Sequence, residues 1–319
     1  MALEKSKQEE TRLHPRNKNR DRYDLGALIV AVPDLANYVK PNKFGDDTVD
    51  FSDPIAVKLL NKALLSHYYG IKYWEFPEDN LVPPIPGRAD YIHHAADVLT
   101  QSNFGRMPAG NKITCLDIGV GANCIYPILG VTEYGWNFIG ADINPDSIAS
   151  AQNIVDNNVV LTGKIDLRLQ QNPKTIFKVI LSAEEKIDIT ICNPPFHASA
   201  DEAQNGTRRK VANLSGKRDK TPELNFAGIS NELIVEGGES KFIDTMISES
   251  KVVAKNCFWF STLVSKQSNL KGIYKALESA GTVENKTIAM GTGNKSTRIV
   301  TWTFLSKEEQ KVWRETRWK

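Results

Sequence analysis

From Ile113 onward, apolar strand-like segments alternate with helix-like segments, and this alternation constrains the possible fold more than any other feature. Seven segments have the β-branched, apolar pattern of buried strands, at residues 113–118, 136–141, 165–170, 187–192, 257–264, 283–289 and 298–304. Helical periodicity lies between most of them, at about residues 123–131, 145–157, 240–254 and 268–279. The pattern predicts an α/β fold with a seven-stranded, doubly wound, Rossmann-like sheet.

The last two predicted strands are joined only by the short segment from Met290 to Lys295. This connection is too short to contain a crossover helix, so the two strands should be antiparallel. We therefore expect a mainly parallel sheet that ends in an antiparallel hairpin.

The rest of the chain divides by composition. Residues 23–105 predict a module of helices and loops, with one helix from Pro54 to near Tyr69, an extended Val82–Gly87 and a second helix from Arg88 to Leu99. The expected organisation is a basic, flexible arm at 1–22, the helical module at 23–105, the sheet domain at 106–306 with an insert at about 198–239, and a tail helix at 307–319.

Bulk composition is that of an ordinary globular protein, and the net charge of +2 does not by itself indicate nucleic acid. The N-terminus lacks the apolar stretch of a signal peptide, and no apolar run is long enough to cross a bilayer. Three of the four cysteines are expected to be core residues in a reducing compartment, because no CxxC pair is present. We therefore expect a cytoplasmic protein.

Basic residues cluster in two segments, which predict contacts with phosphates. The candidates for binding RNA are Arg12, Arg16, Lys18 and Arg20 in the arm, and Arg208, Arg209, Lys210, Lys217 and Arg218 in the insert. For either segment alone, a merely solvated surface is also open.

The turn Asn193-Pro194-Pro195-Phe196 directly follows the predicted strand 187–192. The Asn193 side-chain oxygen and the Pro194 carbonyl can both accept hydrogen bonds from one planar amino group, and Phe196 can stack on the ring that carries this amine. Such acceptors act where positive charge develops on nitrogen during transfer of a group to the amine. The tetrad is compatible with adenine N6, cytosine N4, guanine N2 or glutamine N5, and Pro-Pro also ends a strand for purely structural reasons.

A glycine-containing loop follows the first predicted strand of the sheet, with Asp117 before it and Gly119 and Gly121 within it. The third glycine of a dinucleotide-binding loop is replaced by Cys124, so a pyrophosphate is a poor ligand here. Asp117 suits an ammonium group instead, and Asp142 at the end of the next strand suits ribose hydroxyls. These features predict S-adenosylmethionine as the cofactor. A dinucleotide oxidoreductase is the rival interpretation, and it leaves the Asn193 turn unexplained.

Several longer motifs resemble one family, the ribosomal RNA large-subunit methyltransferase F family. They are Leu13-His14-Pro15-Arg16-Asn17, Val49-Asp50-Phe51, Pro86-Gly87-Arg88-Ala89-Asp90-Tyr91-Ile92-His93-His94, Asp117 to Pro127, Cys192 to His197, and Glu236-Gly237-Gly238-Glu239. This bacterial family methylates adenine N6 in 23S rRNA and is related to the eukaryotic methyltransferase of U6 small nuclear RNA.

The resemblance implies a class I S-adenosylmethionine-dependent methyltransferase. It implies that Arg88 binds the methionine carboxylate of the cofactor, that Asp142 binds ribose and that Thr175 lies near adenine. The implied cofactor-binding set is Arg88, Asp117, Gly119, Gly121, Asn123, Asp142, Thr175 and Asn193. The implied catalytic set is Asn193, Pro194, Pro195 and Phe196.

The expected partner is 23S rRNA or a large-subunit assembly intermediate, with no membrane, no metal and no requirement for an oligomer. His93 and His94 are expected to be structural. Three alternatives stay open: adenine-N6 methylation of another structured RNA such as U6 small nuclear RNA, N5 methylation of a protein glutamine, and an RNA-binding factor that has lost catalysis.

Overall fold

The computed structural model describes residues 13–195, 237–292 and 295–319, including the seven predicted strands. The helices are α1 Leu25–Ala31, α2 Pro54–Tyr69, α3 Ile85–Ser102, α4 Ile125–Tyr134, α5 Pro145–Asp156, α6 Gly238–Ser250, α7 Leu270–Ala280 and α8 Lys307–Trp313. The strands are β1 Val39–Pro41, β2 Asp47–Val49, β3 Thr114–Ile118, β4 Asn137–Asp142, β5 Ile165–Leu169, β6 Ile187–Cys192, β7 Cys257–Val264, β8 Glu284–Thr292 and β9 Lys295–Thr303. None of the helices in these ranges combines the length and the apolar character needed to span a bilayer.

The main sheet has seven strands in the order β5-β4-β3-β6-β7-β9-β8. The first five of these strands are parallel, and β9 runs antiparallel to both β7 and β8. The order reverses at β3, so the carboxyl ends of β4, β3 and β6 meet at the switch point where open α/β sheets bind ligands. The prediction of a doubly wound sheet with an antiparallel terminal hairpin is confirmed.

Apolar side chains cover both faces of the sheet. Along β3, Cys115 belongs to the cluster shared with the N-terminal helices, whereas Leu116 belongs to the cluster with α6 and α7. This alternation follows from the two-residue period of a strand. All four cysteines are free and buried, one more than the three expected in the core.

Two predicted helix starts differ from the structure for local reasons. Helix α3 begins at Ile85 rather than Arg88, because Pro86 occupies the first turn, where its missing N–H costs nothing. Helix α4 begins at Ile125 rather than 123, because Cys124 adopts a left-handed conformation with φ of 52°. The prediction for α2 is accurate: Asp53 caps Ile55 and Ala56, and Gly70 ends the helix in the left-handed region.

The arm expected to be flexible is docked from residue 13 onward. The Asp90 carboxylate on α3 accepts hydrogen bonds from the His14 N–H at 2.9 Å and from Asn17 Nδ2 at 2.5 Å. His14, Asn17 and Asn19 are all buried. A long-range polar anchor therefore replaces the flexible arm over this part of the chain, and residues 1–12, including Arg12, lie outside the described residues.

The C-terminal segment is fastened to the sheet through Asp188, a fully buried residue near the start of β6. Its carboxylate accepts hydrogen bonds from the indole N–H groups of Trp313 and Trp318, both at 2.8 Å, and from the Thr114 N–H at 2.8 Å. Arg317 Nη2 forms an ion pair with it at 3.0 Å. Donors from four residues thus depend on this one carboxylate.

We expect Asp188→Ala to lower the free energy of unfolding by about 3–5 kcal/mol, because it leaves buried donors and a cation without a partner. Urea unfolding would measure this loss. Asp166→Ala is the matched control, because the side chain of Asp166 is 60% exposed in its ion pair with Arg168, and such a pair contributes about 0–1 kcal/mol. Equal losses in the two variants would contradict this description of the C-terminal segment.

Candidate active site

Several of the predicted site residues lie at or next to the carboxyl ends of three adjacent strands. In the sheet, Ile118 of β3 is in register with Ala141 of β4 and with Cys192 of β6. Asp142 directly follows Ala141, and Asn193 directly follows Cys192. Because neighbouring strands lie about 4.8 Å apart, the backbones at Asp142 and Asn193 are separated by about 10 Å across the sheet.

The loop after β3 turns sharply and is tied to β4. The Gly119 and Val120 N–H groups both donate to the Ala141 carbonyl, at 2.8 and 3.0 Å. Gly119 and Gly121 have φ of 78° and 65°, a conformation that strains other residues. A Cβ atom at Gly119 would meet no atom within 4 Å among the described residues, so this glycine leaves open space for a ligand.

Asp142 fixes this loop and keeps acceptor capacity. Its Oδ2 accepts from the Gly121 N–H and its Oδ1 from the Asn144 N–H, both at 2.9 Å. Burial raises the pKa of Asp142, and the backbone hydrogen bonds partly oppose this shift. Each carboxylate oxygen can accept a further hydrogen bond, as binding of ribose hydroxyls requires.

Asp117 is a buried acid in the site whose carboxylate lacks hydrogen-bond partners among the described residues. It is fully buried, and neither carboxylate oxygen has a hydrogen-bond partner within residues 13–195, 237–292 and 295–319. Burial raises the pKa of Asp117 well above its usual range; the nearby Asp142 charge adds to this and Arg88 opposes it. An unpaired buried carboxylate is costly, so the site suits a ligand that brings a cationic hydrogen-bond donor.

Arg88 projects from the first turns of α3, where it is half-buried. Its Nη1 donates to Tyr126 Oη at 3.0 Å, and its guanidinium lies 5.5 Å from the centre of the Tyr126 ring. The hydrogen bond uses one of the five N–H donors of the guanidinium, and together with the ring contact it orients the guanidinium plane. Arginine held in this way can bind a carboxylate by two parallel hydrogen bonds.

The Asn193 turn contains a hydrogen-bond acceptor, the Asn193 side-chain oxygen, that the described residues do not use. Asn193 is half-buried, and its side-chain oxygen is buried with no hydrogen-bond partner in the described parts of the chain. Pro194 is buried and Pro195 is half-buried. Phe196 lies outside the described residues, so its stacking role stays a prediction from sequence.

Two residues assigned to the cofactor have other roles in the structure. Asn123 lies just before α4 and accepts from the Ile125 N–H at 3.2 Å, and its Nδ2 donates to the Leu81 carbonyl at 3.4 Å. Thr175 Oγ1 donates to the Asn172 carbonyl at 3.2 Å. Thr175 also lines a surface cavity of about 550 Å³ against α6, and Asp142 is not among the residues that line this cavity.

Two of the basic residues predicted to bind RNA are already paired. Arg16 Nη2 lies 2.6 Å from Asp97 and Nε donates to Tyr134 Oη at 2.9 Å, and Lys18 lies 3.1 Å from Glu133. Arg20 is exposed. The remaining candidates, Arg208, Arg209, Lys210, Lys217 and Arg218, lie outside the described residues.

One group of side chains has ligand atoms spaced for a metal ion: His14, His94 and Asp97, within 4.8 Å of one another. The hydrogen bonds explain this group without an ion. His14 Nδ1 accepts from the Arg16 N–H at 3.1 Å, so Nε2 carries the proton and donates to Asp97 at 2.9 Å. Arg16 also pairs with Asp97. We interpret the group as the anchor of the N-terminal segment, with His94 packed against the His14 ring.

Three further residues stand out near the rim; the sequence interpretation gave no site role to Ile143 and Tyr91, whereas Glu239 belongs to the motif from Glu236 to Glu239 described above. Ile143 follows Asp142 and is 60% exposed, so it offers an apolar surface beside the Asp142 carboxylate. Glu239 is buried and accepts from the Ser265 N–H at 2.7 Å and from Asn269 Nδ2 at 2.6 Å, which fixes the loop after β7. Tyr91 contacts the strand end at Cys192. Ile143 has a local signal, because it is an apolar residue directly after an acid at a strand end. Glu239 and Tyr91 are marked only by the longer motifs that contain them.

A sequence model described as RNA methyltransferase matches residues 7–306. The protein is 55% identical to the Ribosomal RNA large subunit methyltransferase F of Cytophaga hutchinsonii, over 99% of both chains. It belongs to this RNA methyltransferase family. Another member, the protein of the same name from Serratia proteamaculans, is 51% identical over 100% of this chain and 96% of its own.

Solved structures of METTL16 share the fold of this RNA methyltransferase family member. The hMettl16 catalytic domain in complex with MAT2A 3'UTR hairpin 1 is 29% identical, with a TM-score of 0.76 over 92% of this chain and 96% of that one. The N-terminal domain of human METTL16 in complex with SAH is 26% identical, with a TM-score of 0.72 over 92% and 99% of the two chains. The class I methyltransferase fold and the family resemblance predicted from sequence are confirmed.

Proposed function

We propose that this protein transfers a methyl group from S-adenosylmethionine to N6 of one adenine in 23S rRNA. The observation that carries the proposal is that two acceptors without a hydrogen-bond partner among the described residues, the Asp117 carboxylate and the Asn193 side-chain oxygen, lie at the ends of adjacent strands. Relatives that are 51–55% identical are named for the ribosomal RNA large subunit.

S-Adenosylmethionine fits the chemistry of the residues present. Asp117 would accept from its ammonium group, Arg88 would bind its carboxylate, and Asp142 would accept from its ribose hydroxyls. Gly119 and Gly121 would let the ligand approach the loop backbone closely. When bound, this cofactor supplies a sulfonium methyl group, a strong electrophile. The SAH complex of human METTL16 supports the same assignment, because SAH is the demethylated product of this cofactor.

The Asn193 turn would hold the acceptor. Asn193 Oδ1 and the Pro194 carbonyl would each accept one N6 hydrogen, and Phe196 would stack on the adenine ring. These acceptors favour a pyramidal nitrogen whose lone pair is free to attack, and they stabilise the positive charge that develops there. Neither group is a base, so the proton lost from the amine passes to solvent water. Orientation and electrostatics would supply most of the rate.

The RNA must present an unstacked adenine to this rim. Extrusion of one base costs roughly a few kcal/mol, which is least where the RNA is already unpaired. We assign phosphate binding to Arg12 and Arg20 of the arm and to the basic residues of the insert at 198–239, because Arg16 and Lys18 are already ion-paired. Affinity should therefore fall as salt rises. The reaction would take place in the cytoplasm on 23S rRNA or on an assembly intermediate of the large subunit, with one copy of the chain sufficient.

Incubation of the purified protein with methyl-labelled donor tests the proposal. We expect label in N6-methyladenosine from 23S rRNA that lacks the modification. A structured RNA hairpin serves as one competing substrate, because the hMettl16 catalytic domain was solved with the MAT2A 3'UTR hairpin 1. A total protein fraction serves as the other, because glutamine N5 also suits the Asn193 turn. Label that appears only in protein, or only in the hairpin, would contradict the assignment to 23S rRNA.

A further inference from the structure

The pairing of β6 changes just below the rim of the sheet. On one side, β6 stays in register with β3 as far as Cys192. On the other side, its backbone pairs with β7 are Ile187 with Cys257 and Ile189 with Trp259. The last three residues of β6, 190–192, therefore lie beyond the regular backbone pairing with β7, and other contacts hold them on that side.

Two buried hydroxyl groups replace the ladder at this point. The Ser261 N–H donates to Thr190 Oγ1 at 2.7 Å, and Thr190 Oγ1 donates to the Ser261 carbonyl at 3.2 Å. Ser261 Oγ in turn donates to the Thr190 carbonyl. Side-chain hydrogen bonds thus connect the two strands where they lead into the active-site rim.

Tyr91 of α3 completes this network from above the sheet. Its hydroxyl accepts from the Cys192 N–H at 3.3 Å and lies 2.8 Å from Ser261 Oγ. The Ser261 proton is already directed at the Thr190 carbonyl, so the Tyr91 proton must be donated to Ser261 Oγ. All four residues are fully buried, so water does not substitute for a lost member.

The same face of α3 carries the arginine assigned to the cofactor. Arg88 lies three residues before Tyr91, a spacing that places both side chains on one face of the helix. Arg88 donates to Tyr126 Oη at 3.0 Å, and the Tyr126 and Tyr91 rings pack edge to face with centres 5.5 Å apart. One helix therefore contacts both the donor side and the acceptor side of the site.

We propose that Tyr91 is a positioning residue for methyl transfer. Its hydroxyl fixes the Cys192 amide, the last strand N–H before Asn193, and thereby fixes the direction in which the Asn193 and Pro194 acceptors point. Its ring packing also ties that turn to the cofactor side through Tyr126 and α3. The catalytic part of this inference rests on the proposed function, whereas the control of the strand end by Tyr91 does not.

Tyr91→Phe tests this role, because it removes the hydroxyl and keeps the ring. At saturating donor and RNA we expect kcat to fall about 10- to 100-fold, since a small misplacement of the acceptors has this effect, while the dissociation constant for S-adenosylmethionine stays close to that of the wild type. Hydrogen exchange of the peptide that spans residues 187–192 should become faster. Ser261→Ala should give a smaller loss of kcat, because Tyr91 can still accept from Cys192.

Tyr69→Phe is the matched control, since Tyr69 is buried and its hydroxyl accepts from Asn19 Nδ2 at 3.2 Å, far from the rim. It should keep the wild-type kcat and the wild-type exchange in 187–192. A folded Tyr91→Phe with wild-type kcat would overturn the positioning role, as would a loss confined to cofactor affinity. If the wild type methylates no RNA, the proposed function fails instead, and unchanged exchange in 187–192 would then overturn the control of the strand end.

Discussion

Replacing Asn193 with alanine is expected to lower methyl transfer to RNA by about 10³-fold or more, because it removes an acceptor that acts on the developing charge at nitrogen. The Asn193 side-chain oxygen has no hydrogen-bond partner among the described residues, so its removal breaks no hydrogen bond that these residues show. Binding of S-adenosylmethionine should be little changed. Single-turnover methylation and calorimetric titration of the donor measure the two quantities separately.

Asn157→Ala is the control for this variant. Asn157 is exposed at the C-terminal end of α5, where its Nδ2 donates to the Asn153 carbonyl at 2.8 Å. This variant should retain wild-type transfer and wild-type donor affinity. Undiminished methylation by Asn193→Ala would contradict the acceptor assignment.

Asp117→Asn is expected to weaken binding of S-adenosylmethionine about 10- to 100-fold, because a charge-assisted hydrogen bond to the ammonium group becomes a neutral one. The same change should stabilise the ligand-free protein, since it removes a fully buried carboxylate that has no partner in the described residues. The prediction is therefore that Asp117→Asn lowers donor affinity and raises the stability of the ligand-free protein. Asp34→Asn, at an exposed acid, should change neither quantity.

The wild-type protein and Asp117→Asn should also differ in how their stability and donor affinity depend on pH, because only the wild type has the buried Asp117 carboxylate. The pKa of Asp117 is raised by burial in the folded state, so the folded protein holds this proton more tightly than the unfolded chain does. The contribution of Asp117 to stability is therefore largest at low pH, and it is lost as pH rises from the unfolded pKa of about 4 through the folded pKa.

Donor affinity should change in the opposite direction, rising with pH across this window, because the ammonium group binds the ionised carboxylate. Thermal unfolding without ligand and donor titrations from pH 5 to pH 7 measure the two trends. Asp117→Asn should show weaker forms of both trends, because Asp142, whose pKa is also raised by burial, is still present. The same pH dependence in wild type and variant would contradict the role of Asp117.

The sheet and most of the site could be predicted from sequence because their signals are local. The run from Ile187 to Cys192 is apolar and β-branched, and all six of its residues are buried in β6. Gly119 and Gly121 are needed at positive φ, and Asp142 and Asn193 each directly end a strand. Short-range patterns of this kind depend little on distant parts of the chain.

The features that sequence did not predict depend on distant partners. His14 and Asn17 lie in a polar, basic segment typical of a flexible arm, yet Asp90, more than 70 residues away, fixes both. Asn123 has the spacing of a cofactor ligand, and its carboxamide is used to cap α4. Tyr91 resembles any buried aromatic residue of a helix until the fold brings Cys192 to its hydroxyl.

The most direct measurement is a quantitative map of N6-methyladenine along 23S rRNA from cells that carry this protein, lack it, or carry only Asn193→Ala. We predict one adenine that is methylated with the wild-type protein and unmethylated in both other strains. Every 23S adenine keeping the same N6 methylation in all three strains would contradict the account.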